Sequence, residues 1–71
     1  MYTKEQTIAM LQDAAVLIME ESSYRINWVS EEDRVVYLCD EDTNDEVALN
    51  IDELDLANPS VLLYKLTLMN P

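Results

Sequence analysis

The chain has no glycine in 71 residues. Glycine is the residue that enters left-handed backbone at little steric cost. Without it, every turn that needs a positive φ falls to a residue carrying a β-carbon, and Asn and Asp tolerate that region best. In the stretch CDEDTNDE, residues 39–46, Asn44 and Asp45 are the expected positions. The same stretch imposes a second constraint. Five of its eight side chains are carboxylates, with no cation among them. Like charge concentrated in this way works against a compact state through self-repulsion.

Size leaves little to offset that repulsion. The chain reads as a single domain over residues 1–71, and a domain of this length buries only about 60% of its unfolded surface. Small scaffolds usually add a disulfide, a metal or a partner chain. Cys39 is the only cysteine and histidine is absent, which excludes an internal disulfide and a cysteine–histidine zinc site. A lone cysteine suits a reducing compartment. The opening MYTKEQT has neither the basic start nor the apolar run of a secretory leader. AAVLIM (14–19) and VLLY (61–64) are too short to span a bilayer. A cytoplasmic location is the expectation.

Net charge is −11, and 49% of the residues are hydrophobic. That apolar content separates the chain from acidic disordered sequences. The charge argues against direct binding to DNA, RNA or an anionic membrane, each of which needs a basic footprint. It favours a basic protein partner instead. Its distribution is uneven. Residues 31–55 carry eleven acids against Arg34 alone, a balance of −10, whereas residues 56–71 carry only Lys65.

Hydrophobic spacing predicts an α+β domain ordered α-β-β-β-α, with a three-stranded antiparallel meander and helices packed on one face. Thr3 and Gln6 have capping-box spacing. Ile8, Leu11, Ala15 and Ile18 then recur at helical intervals, with Met10, Ala14 and Leu17 beside them and Ser22-Ser23 as the end. So wide an apolar face exceeds what covering a small sheet requires; it reads as core, or as a stripe that meets a second helix or another subunit, the last giving a homodimer through this first helix. YRINWV (24–29) places Tyr24, Ile26 and Trp28 on one buried strand face. RVVYLC (34–39) reads as a more fully buried strand, and EVALNI (46–51) alternates with Val47, Leu49 and Ile51 inward. DELDLA reads as a short helical turn capped by Asp52. Asn58-Pro59 reads as the start of a helix over residues 60–69, with a strand as the alternative for so short an apolar run.

Asp40, Asp42 and Asn44 match the first three ligand positions of an EF-hand loop. The glycine position is Asp45 and the bidentate glutamate position is Ile51, so no metal site is expected. Catalysis lacks its commonest general base. Asp40 and Glu41 beside Cys39 oppose a thiolate, and a phosphate-cradling loop needs glycine. No enzymatic activity and no cofactor are expected.

What remains is the acidic surface: Glu31, Glu32 and Asp33 in the first meander turn; Asp40, Glu41, Asp42, Asp45 and Glu46 in the second; and Asp52, Glu53 and Asp55 after the last strand. Consecutive turns of a meander lie at opposite ends of the sheet, so these acids form two clusters, with the last group beside the first turn. Duplex DNA also carries rows of negative charge, about one per 1.7 Å of axis. In size and charge the chain resembles small phage or mobile-element proteins that inhibit host nucleases and repair enzymes by mimicking DNA. That likeness implies a non-enzymatic inhibitor or binding protein. Its partner would be basic: a nuclease, a polymerase, or a repair or defence complex. An antitoxin or immunity-type partner of one basic toxin is the rival reading, and a homodimeric structural protein is a third.

Overall fold

In a computed structural model that describes residues 2–65, the chain is an α+β domain with one helix and a five-stranded antiparallel sheet. The elements are helix α1 (Lys4–Asp13), β1 (Val16–Met19), β2 (Ser22–Ser30), β3 (Val35–Asp40), β4 (Glu46–Asn50), a 3₁₀ turn (Ile51–Glu53) and β5 (Leu62–Tyr64). The sheet order is β4-β3-β2-β1-β5. The connection after β4 crosses from one edge to the other. On the way, Leu54, Leu56 and Val61 pack on the same face that α1 covers. No helix among the described residues is long and apolar enough to cross a membrane.

In the meander β2-β3-β4, strand β4 follows the alternation of its sequence, as does β2 up to Ile26. Val36 and Leu38 are fully buried, and Val47 and Leu49 pack beside them. The helix begins with its capping box. Thr3 Oγ1 accepts from the Gln6 amide at 3.0 Å, and Gln6 Oε1 accepts from the Thr3 amide at 2.9 Å. Two donors that the first turn would leave without partners are thereby satisfied.

The helix is shorter than its apolar spacing predicts. It ends at Asp13, and residues 16–19 form β1 between β2 and β5. Leu17 faces the core fully buried, opposite Tyr24 and Leu63, while Val16 and Ile18 take the other face. β1 is apolar on both faces, with Val16 and Ile18 opposite Leu17 and Met19, and so shows no alternation, which is why a helix fitted the same letters. The amide of Ala15 bonds to the Tyr64 carbonyl at 2.8 Å, and the Ile26 amide bonds to the Ala15 carbonyl at 2.9 Å. Two neighbouring strands therefore outweigh local helix propensity, which is a weak preference. The wide stripe that suggested helix-mediated dimerisation is not a helical face, and Ser22-Ser23 opens β2 rather than closing a helix.

Three other expectations change. The part of the 60–69 helix within the described residues is strand β5; residues 66–69 lie outside them. Asn58 caps a turn there, its Oδ1 accepting from the Ser60 amide at 3.0 Å. The 3₁₀ turn is capped by Asn50, not Asp52. Trp28 does not face the core. The β2–β3 register shifts between Ile26 and Trp28, so that Asn27 and Trp28 both oppose Tyr37. This bulge inserts one residue and turns Trp28 outward, returning Val29 to the core side.

Positive φ occurs at Asn44 (66°), as expected, but not at Asp45; the others are Glu20 (49°), Glu21 (66°) and Arg34 (57°). Met19 pairs with Ser22, so Glu20 and Glu21 form a two-residue hairpin loop with both residues left-handed, the type I′ pattern. That turn matches the twist of the strands, and Asn-Gly is its favoured sequence. Left-handed backbone costs a residue with a β-carbon roughly 1–2 kcal/mol.

Two outcomes follow for thermal and denaturant unfolding. Glu20→Asn with Glu21→Gly should stabilise by about 1–2 kcal/mol beyond Glu20→Gln with Glu21→Gln, which removes the same charge without easing the backbone. Equal stability of the two double variants would contradict the strained turn. Leu17→Ala should cost about 2–5 kcal/mol, whereas Ile18→Ser on the opposite face should cost under about 1 kcal/mol. Comparable losses would contradict the sidedness of β1.

Candidate acidic binding surface

The meander places its turns at alternate ends, so the acids fall into two groups. At one end are Glu31, Glu32 and Asp33 from the β2–β3 turn, with Asp52, Glu53 and Asp55 after β4. Two cations join them. Lys4 Nζ lies 3.3 Å from Asp52 Oδ1, and Arg34 Nη1 lies 3.5 Å from Asp52 Oδ2. Glu31 also accepts a 2.9 Å hydrogen bond from Gln12 Nε2, which ties this end to α1. These pairs are exposed, where an ion pair contributes about 0–1 kcal/mol.

The opposite end has no such compensation. Asp40, Glu41, Asp42, Asp45 and Glu46 lie there, and the β1–β2 hairpin adds Glu20 and Glu21. The two turns touch. The Glu41 amide donates to the Ser23 carbonyl at 3.0 Å, and Ser23 Oγ donates to Glu41 Oε1 at 2.8 Å. Seven carboxylates thus share one end, and none of the ion pairs among the described residues reaches them. Spacing alone missed Glu20 and Glu21 because they were read inside a helix. The signal available was the adjacent acid pair directly before Ser-Ser and a clean alternating strand.

Internal donors hold the β3–β4 turn. Asp40 Oδ1 accepts from the Asp42 amide at 2.8 Å and the Thr43 amide at 3.2 Å. The Asp45 amide donates to Thr43 Oγ1, and the Cys39 thiol points at Asn44 Oδ1 at 3.3 Å. Cys39 is 6% exposed, lying between Arg25 and Glu46 in the strand register. The oxygens of Asp40 and Asn44 that would have matched a calcium loop therefore serve as turn acceptors. The remaining ion pair joins Lys65 to Asp13 at 2.6 Å, where the hydrogen bond to Asp13 and then its charge raise the Lys65 ammonium above its ordinary 10.5.

Self-repulsion at the seven-carboxylate end sets the salt response. Raising ionic strength from about 0.1 M to 1 M shortens the screening length from about 10 Å to 3 Å. The melting temperature should rise over that range in both NaCl and KCl. Replacing all seven acids by Asn or Gln should flatten the rise. A melting temperature that fell with salt would contradict the electrostatic account.

No protein-family model, no curated protein and no solved structure matches the chain.

Proposed function

We propose that the protein is a non-enzymatic inhibitor or binding protein that engages a basic, nucleic-acid-handling protein in place of DNA. The observation that carries this reading is the end formed by Glu20, Glu21, Asp40, Glu41, Asp42, Asp45 and Glu46, where no carboxylate forms an ion pair among the described residues. A basic cleft built for phosphates attracts such an end by the same field that draws DNA to it, and the attraction speeds encounter. Turn hydrogen bonds fix the backbone beneath the charges, so less ordering entropy is lost on association. The other acidic end lies across the length of β3, about 20 Å away for six residues. Its field is weaker, because Lys4 and Arg34 sit on Asp52.

The test uses the immobilised protein and a heparin-binding protein fraction, at low and high salt, with and without a short competing DNA duplex. Wild-type protein should retain DNA-binding proteins at low salt and release them to duplex or to salt. Neutralising the seven acids to Asn or Gln should weaken retention about tenfold or more. The control neutralises Glu5, Asp13, Glu53 and Asp55, acids outside both that end and the β2–β3 turn, and the loss is compared per charge removed. Equal loss in the control would mean that net charge alone drives binding, and retention indifferent to duplex would point to a partner that does not handle nucleic acid. Either result overturns the proposal.

A further inference from the structure

The face of the sheet away from α1 has no covering element among the described residues. Cross-strand register puts Val16 and Ile18 of β1, Leu62 and Tyr64 of β5, Trp28 of β2 and Tyr37 of β3 on it. The exposed members are large: Trp28 is 60% exposed, Tyr64 51% and Leu62 43%. Trp28 and Tyr37 stack with ring centroids 5.4 Å apart and planes 11° from parallel. The stack arises because the Asn27 bulge turns Trp28 outward opposite Tyr37. A small domain with a thin core gains nothing by holding these side chains in water, and large exposed apolar side chains gathered on one face mark a contact surface. Stacked aromatic rings are also the side chains that most often dominate the binding energy of an interface.

Charge selects the occupant. Along the strands the apolar band is bounded at both ends by net negative charge: the seven-acid end on one side, and on the other Glu31, Glu32 and Asp33 with Asp52, which Lys4 and Arg34 offset in part, while Lys65, paired to Asp13, follows β5. Arg25 lies on the face itself, between Val16 and Cys39 in the register. Its guanidinium reaches only Asn27 Oδ1, at 3.4 Å, and it forms no ion pair among the described residues. A second copy of the chain, laid face to face in either orientation, would bring the seven-acid end against an end of net negative charge. We propose that this face docks a basic amphipathic segment of a partner protein, apolar in its middle, with Lys and Arg at both ends and an acceptor opposite Arg25. The proposal rests on the reading of the protein as a ligand for basic proteins and adds where the partner lies. The apolar centre fixes the complex, and the flanking charges set its register and encounter rate.

Trp28 is the only tryptophan in the sequence, so its emission reports on this face alone. The probes are three labelled, tryptophan-free peptides: one with basic ends and an apolar centre, one scrambled to disperse its basic residues, and one with acidic ends. The first should bind saturably with a blue shift of Trp28 emission and loss of acrylamide quenching. The scrambled peptide should bind about tenfold more weakly, and the acidic one not at all. Saturable binding that leaves Trp28 emission unmoved, equal affinity for the scrambled peptide, or no binding would overturn the proposal. So would quench protection of Trp28 in the free protein, whether it tracks self-association or disappears on deleting residues 66–71. A variant carrying Ile18→Ser, Trp28→Ser and Tyr37→Ser retains every carboxylate. Loss of DNA-displaceable capture by that variant, with its circular dichroism intact, supports the docking face. Retention of capture overturns the docking face alone, whereas the charge-neutralised variants test the DNA-like reading separately.

Discussion

One extra residue in β2 decides which side chains each face of the sheet presents. Asn27 interrupts the pairing with β3, so the side chains before and after it fall out of phase. Ile26 and Val29 both reach the core, which simple alternation forbids for residues three apart. Without the insertion either Ile26 would lose Leu38 or Val29 would lose Val36, and both partners are fully buried. The core thus constrains the bulge, and the bulge places the Trp28–Tyr37 stack in water. A feature required for packing on one side creates the aromatic surface on the other.

The absence of glycine has a parallel effect on charge. Turns must be made from residues that accept left-handed backbone or supply their own hydrogen bonds, and here they are mostly Asp, Asn and Glu. Asp40, Thr43, Asn44, Asn50, Asp55 and Asn58 each accept a turn or cap hydrogen bond through a side-chain oxygen. Because an antiparallel sheet gathers its turns at two ends, the acids that build turns also gather there. The polarity of the molecule, apolar between two negative ends, is a by-product of topology combined with turn chemistry.

Half-buried strands were legible in the sequence, because alternation survives wherever one face meets solvent and the other the core. Val47 and Leu49 illustrate it, as does the capping box at Thr3 and Gln6. The opposite-end placement of the two meander turns followed directly. What failed to read out has two causes: a deciding partner that lies far along the chain, or a turn or bulge whose own residues carry no signal. Residues 16–19 are strand because β5 lies beside them, and nothing local in VLIM distinguishes that from a helix. Glu20-Glu21 lacks the residues that normally announce a two-residue hairpin, and the bulge at Asn27 carries no turn signal. Asn58-Pro59 marked a boundary correctly, but the same chemistry starts turns and helices alike.

The pairing of β5 with β1 has a consequence during synthesis. Residues 16–18 leave the ribosome long before residues 62–64, their partners at the sheet edge. In the interval a nascent chain exposes an apolar strand edge, the kind of template on which other chains add strands. Local hairpins form in microseconds, but this edge stays open for seconds at ordinary elongation rates. Glu20 and Glu21 directly follow that segment and occupy the positions of gatekeepers, charges that discourage stacking of unprotected strands. The hairpin that sets two left-handed acids at one end of the finished sheet thus also sets charge directly beside the strand whose second partner arrives last.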